Sequence, residues 1–160
     1  MSTNFEKVVE FNKQFGITTH EKPVKDIFDQ DSKLVDYRLS LVAEEFKELQ
    51  QAIKEKDYTE TIDALCDLLY VICGFGSSIG TNLDDAFDIV HNSNMSKLCK
   101  TEEEAKQTVE YYHDHKELGY LSPCYRKSTD GKYYVVYNKD TMKILKSINY
   151  TPANFSELLK

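Results

Sequence analysis

A long apolar seam between residues 32 and 56 constrains the fold of this chain more than any other feature. Its side chains recur at alternating four- and three-residue steps, and they are Val35, Leu39, Val42, Phe46, Leu49 and Ile53. This spacing follows one face of an α-helix, and so long a stripe needs other helices to pack against. The seam therefore predicts a long helix over 32–56 within a helical bundle.

Further helices are predicted on both sides of this one. Segment 3–15 has apolar residues at helical spacing and begins with the capping-box pattern Thr3-x-x-Glu6. Segment 60–79 is apolar nearly all round, so we expect it to be the most buried element. Asn82-x-x-Asp85 and Thr101-x-x-Glu104 predict two more helix starts.

The pattern changes to a period of two after residue 122, with turn-like stretches at 128–131 and 138–141. This change predicts a small antiparallel β-meander over 123–147. The expected fold is all-α: a four- to five-helix bundle over 1–119, followed by a small β-meander appendage over 120–160.

Charge and composition narrow the classes of partner. The net charge is −7, with 13 basic and 24 acidic residues in 1–119 but 7 and 3 in 120–160. An acidic body disfavours a nucleic acid polymer as partner. No unbroken apolar run approaches the ~20 residues of a membrane helix, so we expect no membrane partner. The four cysteines form no CxxC pair and no secretory signal is visible, which indicates a cytoplasmic protein.

Acidic residues interrupt the apolar strip beside the seam of helix 32–56. A helix turns ~100° per residue, so Glu45 and Glu48 lie on one strip, among apolar side chains such as Leu41 and Ala52. Glu44 lies at its margin. A solvated face explains this pattern poorly, because apolar residues flank the acids.

A second acidic line follows helix 60–79. Glu60, Asp63, Asp67 and Tyr70 are spaced by three, four and three residues on the most hydrophobic helix of the chain. If the two helices are neighbours, up to six carboxylates face one another.

Few cations are available to pair with these acids. Arg38 and Lys97 are the two expected nearby, and two cations do not neutralise five or six anions. Unpaired carboxylates at close range are costly, and a divalent cation resolves the deficit. All the candidate ligands are oxygens, which favours Mg²⁺, with Mn²⁺ as a possible substitute.

The next helix turns polar at its end. The stripe Leu83, Phe87 and Val90 continues to Asn94 and Lys97. A lysine and a metal ion are both cationic, so they can face each other only where an anion such as a phosphate chain lies between the two. Asn94 offers a donor and an acceptor for a base edge or a ribose hydroxyl.

Three segments carry a family resemblance, namely AEEFKE (43–48), ETIDALCDLLYV (60–71) and GTNLDDAFDIVHNSNMSKL (80–98). Together they resemble the MazG-like all-α nucleoside triphosphate pyrophosphohydrolases, in the branch of dimeric dUTPases and phosphoribosyl-ATP pyrophosphohydrolase. The resemblance implies a four-helix core, a homodimer or dimer of dimers, and Mg²⁺ held by acids of two adjacent helices. It also implies cleavage between the α and β phosphates of a nucleotide.

The family's EExxE motif corresponds to Glu44, Glu45 and Glu48, and its acid before LLYV corresponds to Asp67. The family pattern needs a further acid at position 64, where this chain has alanine. Either Glu60 or Asp63 could take that ligand role.

The residue patterns and the resemblance together lead to the following hypothesis for the site roles. Glu45, Glu48, Asp67 and one or both of Glu60 and Asp63 hold the metal, and Glu44 or Glu45 activates water. Arg38 and Lys97 offset charge on the leaving pyrophosphate, while Tyr70 and Asn94 line the nucleoside pocket. A dUTP- or dCTP-like substrate is expected first, with phosphoribosyl-ATP or a broad house-cleaning activity as alternatives. A non-catalytic helical module that binds a cation or a partner is the alternative from another class.

Overall fold

The computed structural model describes all residues from 1 to 160 and contains six α-helices and one β-hairpin. The helices are α1 (Asn4–Gln14), α2 (Ile27–Gln30), α3 (Ser32–Glu55), α4 (Tyr58–Ser78), α5 (Leu83–Met95) and α6 (Glu102–Asp114). A 3-10 turn at Lys116–Leu118 precedes strands β1 (Pro123–Lys127) and β2 (Tyr134–Asn138). This mostly helical chain with a small C-terminal sheet confirms the expected fold class.

Local capping residues explain where the helices begin. The Thr3 side chain accepts from the Glu6 backbone N–H at 3.1 Å, and the Glu6 carboxylate accepts from the Thr3 N–H at 2.8 Å, so the expected capping box is present. Asp57 caps α4 by accepting from the Glu60 N–H, and Thr101 caps α6 in the same way. Such caps satisfy backbone donors that the first helical turn leaves unpaired.

The chain divides into two compact units. Unit 1 comprises Met1–Phe87 with Phe155–Lys160, and unit 2 comprises Asp88–Asn154. The division falls within α5 rather than at the expected boundary of 119/120, and α6 packs against the hairpin within unit 2 through Ala105 and Tyr112.

Unit 1 is built on the α3–α4 helical hairpin, with α1 packed against α4. Its small core holds Phe5, Val8 and Cys73. After α4 the chain reverses at Gly80, which has φ +77°, and a Cβ there would overlap the backbone carbonyl of Lys22. Glycine is therefore required at this turn.

The apolar seam of α3 is only partly buried, which corrects one expectation. Leu39, Phe46 and Ile53 are each more than half exposed, whereas the other three seam residues are half-buried. The N-terminal half of α4 likewise exposes Ile62 and Leu65, so α4 is not buried throughout. The strip of α3 that packs on α4 is the adjacent one that carries the acids.

Helix α4 also corrects the expectation that no segment approaches a membrane span. By length and average composition it could cross a bilayer, with a mean hydropathy of 1.3 over 18 residues. A third of that window is buried in the protein, and the core helix of a soluble protein passes the same test.

Unit 2 has its own core beneath the hairpin, formed by Cys99, Ala105, Tyr112, Val136 and Leu145. Strands β1 and β2 pair antiparallel with Tyr125 opposite Val136. The third strand of the expected meander is reduced to one bridge between Tyr137 and Ile144.

Candidate active site

The predicted carboxylates lie along the contact between α3 and α4. We call Glu44, Glu45, Glu48, Glu60, Asp63 and Asp67 the acidic cluster. A cavity of about 250 Å³ lies among part of this cluster, with Glu48, Glu60 and Asp63 among its lining residues. The cluster and this cavity both belong to unit 1.

Glu45 is the centre of the cluster in electrostatic terms. Its side chain is half-buried, and its Oε2 atom is buried without a hydrogen-bond partner. Burial raises the pKa of the Glu45 carboxyl, and the charges of Glu48, Asp67, Glu44 and Asp63 raise it further, in that order. Four predicted acids therefore act on Glu45, which also carries a buried oxygen that lacks a hydrogen-bond partner.

The remaining acids are less buried than the sequence suggested. Glu44, Glu48, Glu60, Asp63 and Asp67 are all exposed, because the outer faces of α3 and α4 are open. As the side chains stand, no three of the protein's His, Cys, Asp and Glu residues converge closely enough to hold a metal ion. The cluster thus has the oxygen donors that suit Mg²⁺, without a closed coordination shell.

The contact between the two helices explains why position 64 lacks an acid. Ala64 and Ala52 are each only 5 % exposed and line the floor of the acidic cavity. Asp63 and Glu60 both reach that cavity from α4, and the structure does not separate their roles.

Sequence reasoning missed two residues of the cavity. Gln51 and Glu55 also line it, and the Gln51 amide donates to the Glu55 carboxylate. Glu55 lies two helical turns beyond Glu48, so its seven-residue spacing was the signal that could have identified it.

Arg38 is buried at the other end of the α3–α4 contact, with 5 % exposure. Its Nε donates to Ser78 Oγ at 2.8 Å, and Ser78 Oγ donates to the Thr18 carbonyl at 2.9 Å. The second terminal nitrogen, Nη2, is buried without a partner. Burial lowers the pKa of the guanidinium, and no carboxylate pairs with it. The sequence predicts Arg38 as a cation near the acids, and its side-chain hydrogen-bond partner in the structure is Ser78.

Tyr70 lies on α4 and packs edge-on against Phe11 of α1, with ring centres 5.5 Å apart. It lines a small cavity of about 170 Å³ in unit 1. Asn94 and Lys97 lie in unit 2, where the Lys97 Nζ donates to Asn94 Oδ1 at 2.7 Å. The structure thus brings Asn94 and Lys97 together, and their approach to a phosphate stays a prediction.

Comparison with known proteins identifies a family that matches the part of the chain containing α3 and α4. Residues 8–94, a little over half of the chain, match the phosphoribosyl-ATP pyrophosphohydrolase family. The chain therefore belongs to this family, within the MazG-like nucleotide pyrophosphohydrolase superfamily. The match ends at the C-terminal end of α5, so α6 and the hairpin lie outside it.

A full-length relative is an uncharacterized protein of Acanthamoeba polyphaga mimivirus. The alignment spans 242 positions, gaps included, and is 28 % identical. It covers 99 % of this chain and 96 % of the viral protein. The likeness therefore includes unit 2, beyond the part that matches the family.

Proposed function

We propose that this protein is a Mg²⁺-dependent nucleotide pyrophosphohydrolase that cleaves the α–β phosphoanhydride of a nucleotide. The observation that carries the proposal is the half-buried Glu45 among four other carboxylates, in a chain whose family is one of pyrophosphohydrolases. A half-buried carboxylate surrounded by other carboxylates is stabilised by a divalent cation bound among them.

The fit between the site and the ion rests on donor chemistry. Glu45, Glu48, Asp67 and one or both of Glu60 and Asp63 would hold Mg²⁺, and the orphaned Glu45 Oε2 is an oxygen that lacks any other ligand. When bound, the ion supplies charge stabilisation for phosphate oxygens and acidifies water. Mn²⁺ has the same oxygen preference and is the proposed substitute.

The residues of the chain have distinct roles in the proposed reaction. Glu44 or Glu45 takes a proton from the attacking water or orients it, since both are carboxylates beside the proposed metal ligands. The water oxygen bonds to the α phosphorus, and the bridging oxygen leaves with pyrophosphate. Arg38 and Lys97 offset the charge of the leaving group.

Two substrate classes are proposed. A deoxynucleoside triphosphate such as dUTP or dCTP, with its base near Tyr70 and Asn94, is the first. Phosphoribosyl-ATP is the second, and the name of the matching family favours it. Pyrophosphate release from dUTP, dCTP, ATP and phosphoribosyl-ATP separates these classes.

Replacement of one proposed metal ligand tests the assignment. Glu48→Gln is expected to lower turnover about a hundredfold or more under saturating Mg²⁺, since the ligand loses its charge but little of its shape. Glu110→Gln on α6, an exposed acid of unit 2, is the matched control and should keep the wild-type rate. Wild-type turnover by Glu48→Gln would contradict the metal site. Absence of hydrolysis of every nucleotide would favour a non-catalytic binding module.

A second copy of this chain is the proposed partner. Helices α3 and α4 expose apolar side chains to solvent, among them the exposed residues of the α3 seam. This apolar surface lies beside the acidic cluster, and its burial would be favourable. Phe46→Glu is expected to shift a dimer or larger assembly toward monomer in sedimentation experiments. Phe28→Glu on α2, at a phenylalanine that is even more exposed than Phe46, should have no such effect. A monomeric wild type at tens of micromolar would contradict this expectation.

A further inference from the structure

A second and larger cavity lies wholly within unit 2. It measures about 690 Å³, which is within the range of ~300–1,000 Å³ typical of small-molecule sites. Its walls come from the C-terminal end of α6, the 3-10 turn and the segment 143–150. None of the acidic cluster contributes to it, because all of those residues belong to unit 1.

The charge of this cavity is opposite to that of the whole protein. Lys97, Lys143 and Lys146 line it, and no aspartate or glutamate does, although the net charge of the chain is −7. None of the three lysines forms an ion pair. One carboxylate, Glu104, contacts the lining residue Ser147 by accepting its hydroxyl proton, and it also accepts from the Lys100 backbone N–H.

Tyrosines take the place of carboxylates as partners of two of these lysines. Lys143 Nζ donates to the Tyr120 hydroxyl at 2.6 Å and lies 4.9 Å from the centre of that ring. Lys146 Nζ lies 4.5 Å from the centre of the Tyr150 ring. The cavity therefore has cationic groups beside aromatic rings, a combination that attracts an anion with a flat ring.

Hydrogen bonds hold the cavity in shape without a ligand. The buried Tyr112 hydroxyl accepts from the Lys146 backbone N–H and donates to its carbonyl, both at 3.1 Å. Thr108 Oγ1 accepts from the Ile148 N–H at 3.2 Å, and Leu145 is buried in the core beneath. The segment that bears Lys143 and Lys146 is thus fixed onto α6, so binding of a ligand requires little ordering of that segment.

We propose that the unit 2 cavity is a second nucleotide site, which binds a nucleoside monophosphate without a metal ion. The ammonium groups of Lys143 and Lys146 contact the phosphate, and the base stacks on the tyrosine rings. This site needs neither the acidic cluster nor Mg²⁺, so it goes beyond the proposed hydrolysis.

Calorimetric titration of the full chain with AMP in EDTA tests the proposal. Saturable binding is expected for the wild type, and also for Glu48→Gln, which lacks a proposed metal ligand but keeps the cavity. The double variant Lys143→Met/Lys146→Met is expected to raise the Kd about tenfold or more, since each lost charge removes a phosphate contact. The control Lys127→Met/Lys132→Met removes the same charge from exposed positions of unit 2 outside the cavity and should leave the Kd unchanged.

Three results would overturn the proposal. These are an absence of AMP binding in EDTA, equal weakening by both double variants, and binding of inorganic phosphate as tight as that of AMP. Equal weakening by both double variants would mean that AMP is attracted only to a diffuse basic surface. Phosphate binding as tight as AMP binding would mean that base stacking on the tyrosine rings contributes nothing.

A measurement on the wild type avoids dependence on variants. AMP is expected to protect Lys143 and Lys146 from chemical acetylation, read by mass spectrometry, while Lys127 and Lys132 stay reactive. Equal reactivity of all four with and without AMP would overturn the proposal even if the variants failed to fold.

Discussion

Arg38→Met is expected to stabilise the protein while it impairs hydrolysis. The Arg38 residue is only 5 % exposed, its guanidinium has no carboxylate partner, and its Nη2 atom makes no hydrogen bond. A buried donor left unsatisfied costs roughly 1–3 kcal/mol, and more where the group is charged. Methionine has a similar length and no charge, so it removes this cost.

The bond to Ser78 is the main loss on substitution. A hydrogen bond from a charged group contributes roughly 1.5–3 kcal/mol, but Ser78 Oγ still donates to the Thr18 carbonyl after the change, so its hydroxyl is not orphaned. This loss is offset because methionine leaves no unpaired buried charge at position 38 and packs better than arginine against apolar neighbours. We expect a net gain of about 1 kcal/mol in the free energy of unfolding, or about 2–4 °C in Tm for a chain of this size.

Urea and thermal unfolding, followed by circular dichroism, give the stability, and pyrophosphate release gives the activity. The chain has only one other arginine, so Arg126→Met is the matched control. Arg126 is exposed and lies 5.8 Å from the centre of the Tyr137 ring, so its loss should cost less than about 1 kcal/mol and leave turnover unchanged.

Two results would refute the reasoning about Arg38. A loss of more than about 1 kcal/mol in Arg38→Met would show that the guanidinium is a satisfied structural group. A stabilised variant with full activity would show that the buried charge does not serve the substrate.

Two further predictions concern unit 1. Because its folded-state pKa is raised above the ordinary 4.5, Glu45 favours the folded state only at acidic pH, and this contribution is lost as the pH rises through the raised pKa. Without divalent cations, Glu45→Gln should therefore be more stable than wild type at pH 7 and equal to it near pH 4; a pH-independent difference would contradict this. Gly76→Ala would place a Cβ 2.7 Å from Leu83 Cδ1, so calorimetric melting should show a loss of about 1–3 kcal/mol. Addition of Leu83→Ala should recover part of that loss, and no recovery would show that the cost arises elsewhere.

Helix positions could be predicted from the sequence because their causes are local. The Thr3 and Thr101 caps each depend on residues within a few positions of one another, and the seam of α3 depends on spacing within one helix. The rows of acids followed from helical spacing alone, and the structure places both rows at the α3–α4 contact.

The sequence could not reveal what each face contacts. An apolar stripe such as that containing Phe46 indicates that a partner is needed, but not whether the partner belongs to the same chain. Arg38 pairs with Ser78, forty residues away, through packing that no local pattern encodes. The partition of α6 into unit 2 depends in the same way on distant contacts with the hairpin.

The two buried alanines between α3 and α4 bear on the choice of ion. Ala52 and Ala64 are small and buried, so they allow the backbones of α3 and α4 to approach closely. Their size therefore sets the distance between the opposing carboxylates. Mg²⁺ takes oxygens at about 2.0–2.1 Å, whereas Ca²⁺ takes them at about 2.3–2.6 Å. A bulkier side chain at either position would increase the distance between the helices and shift the preference of the proposed site from Mg²⁺ toward Ca²⁺.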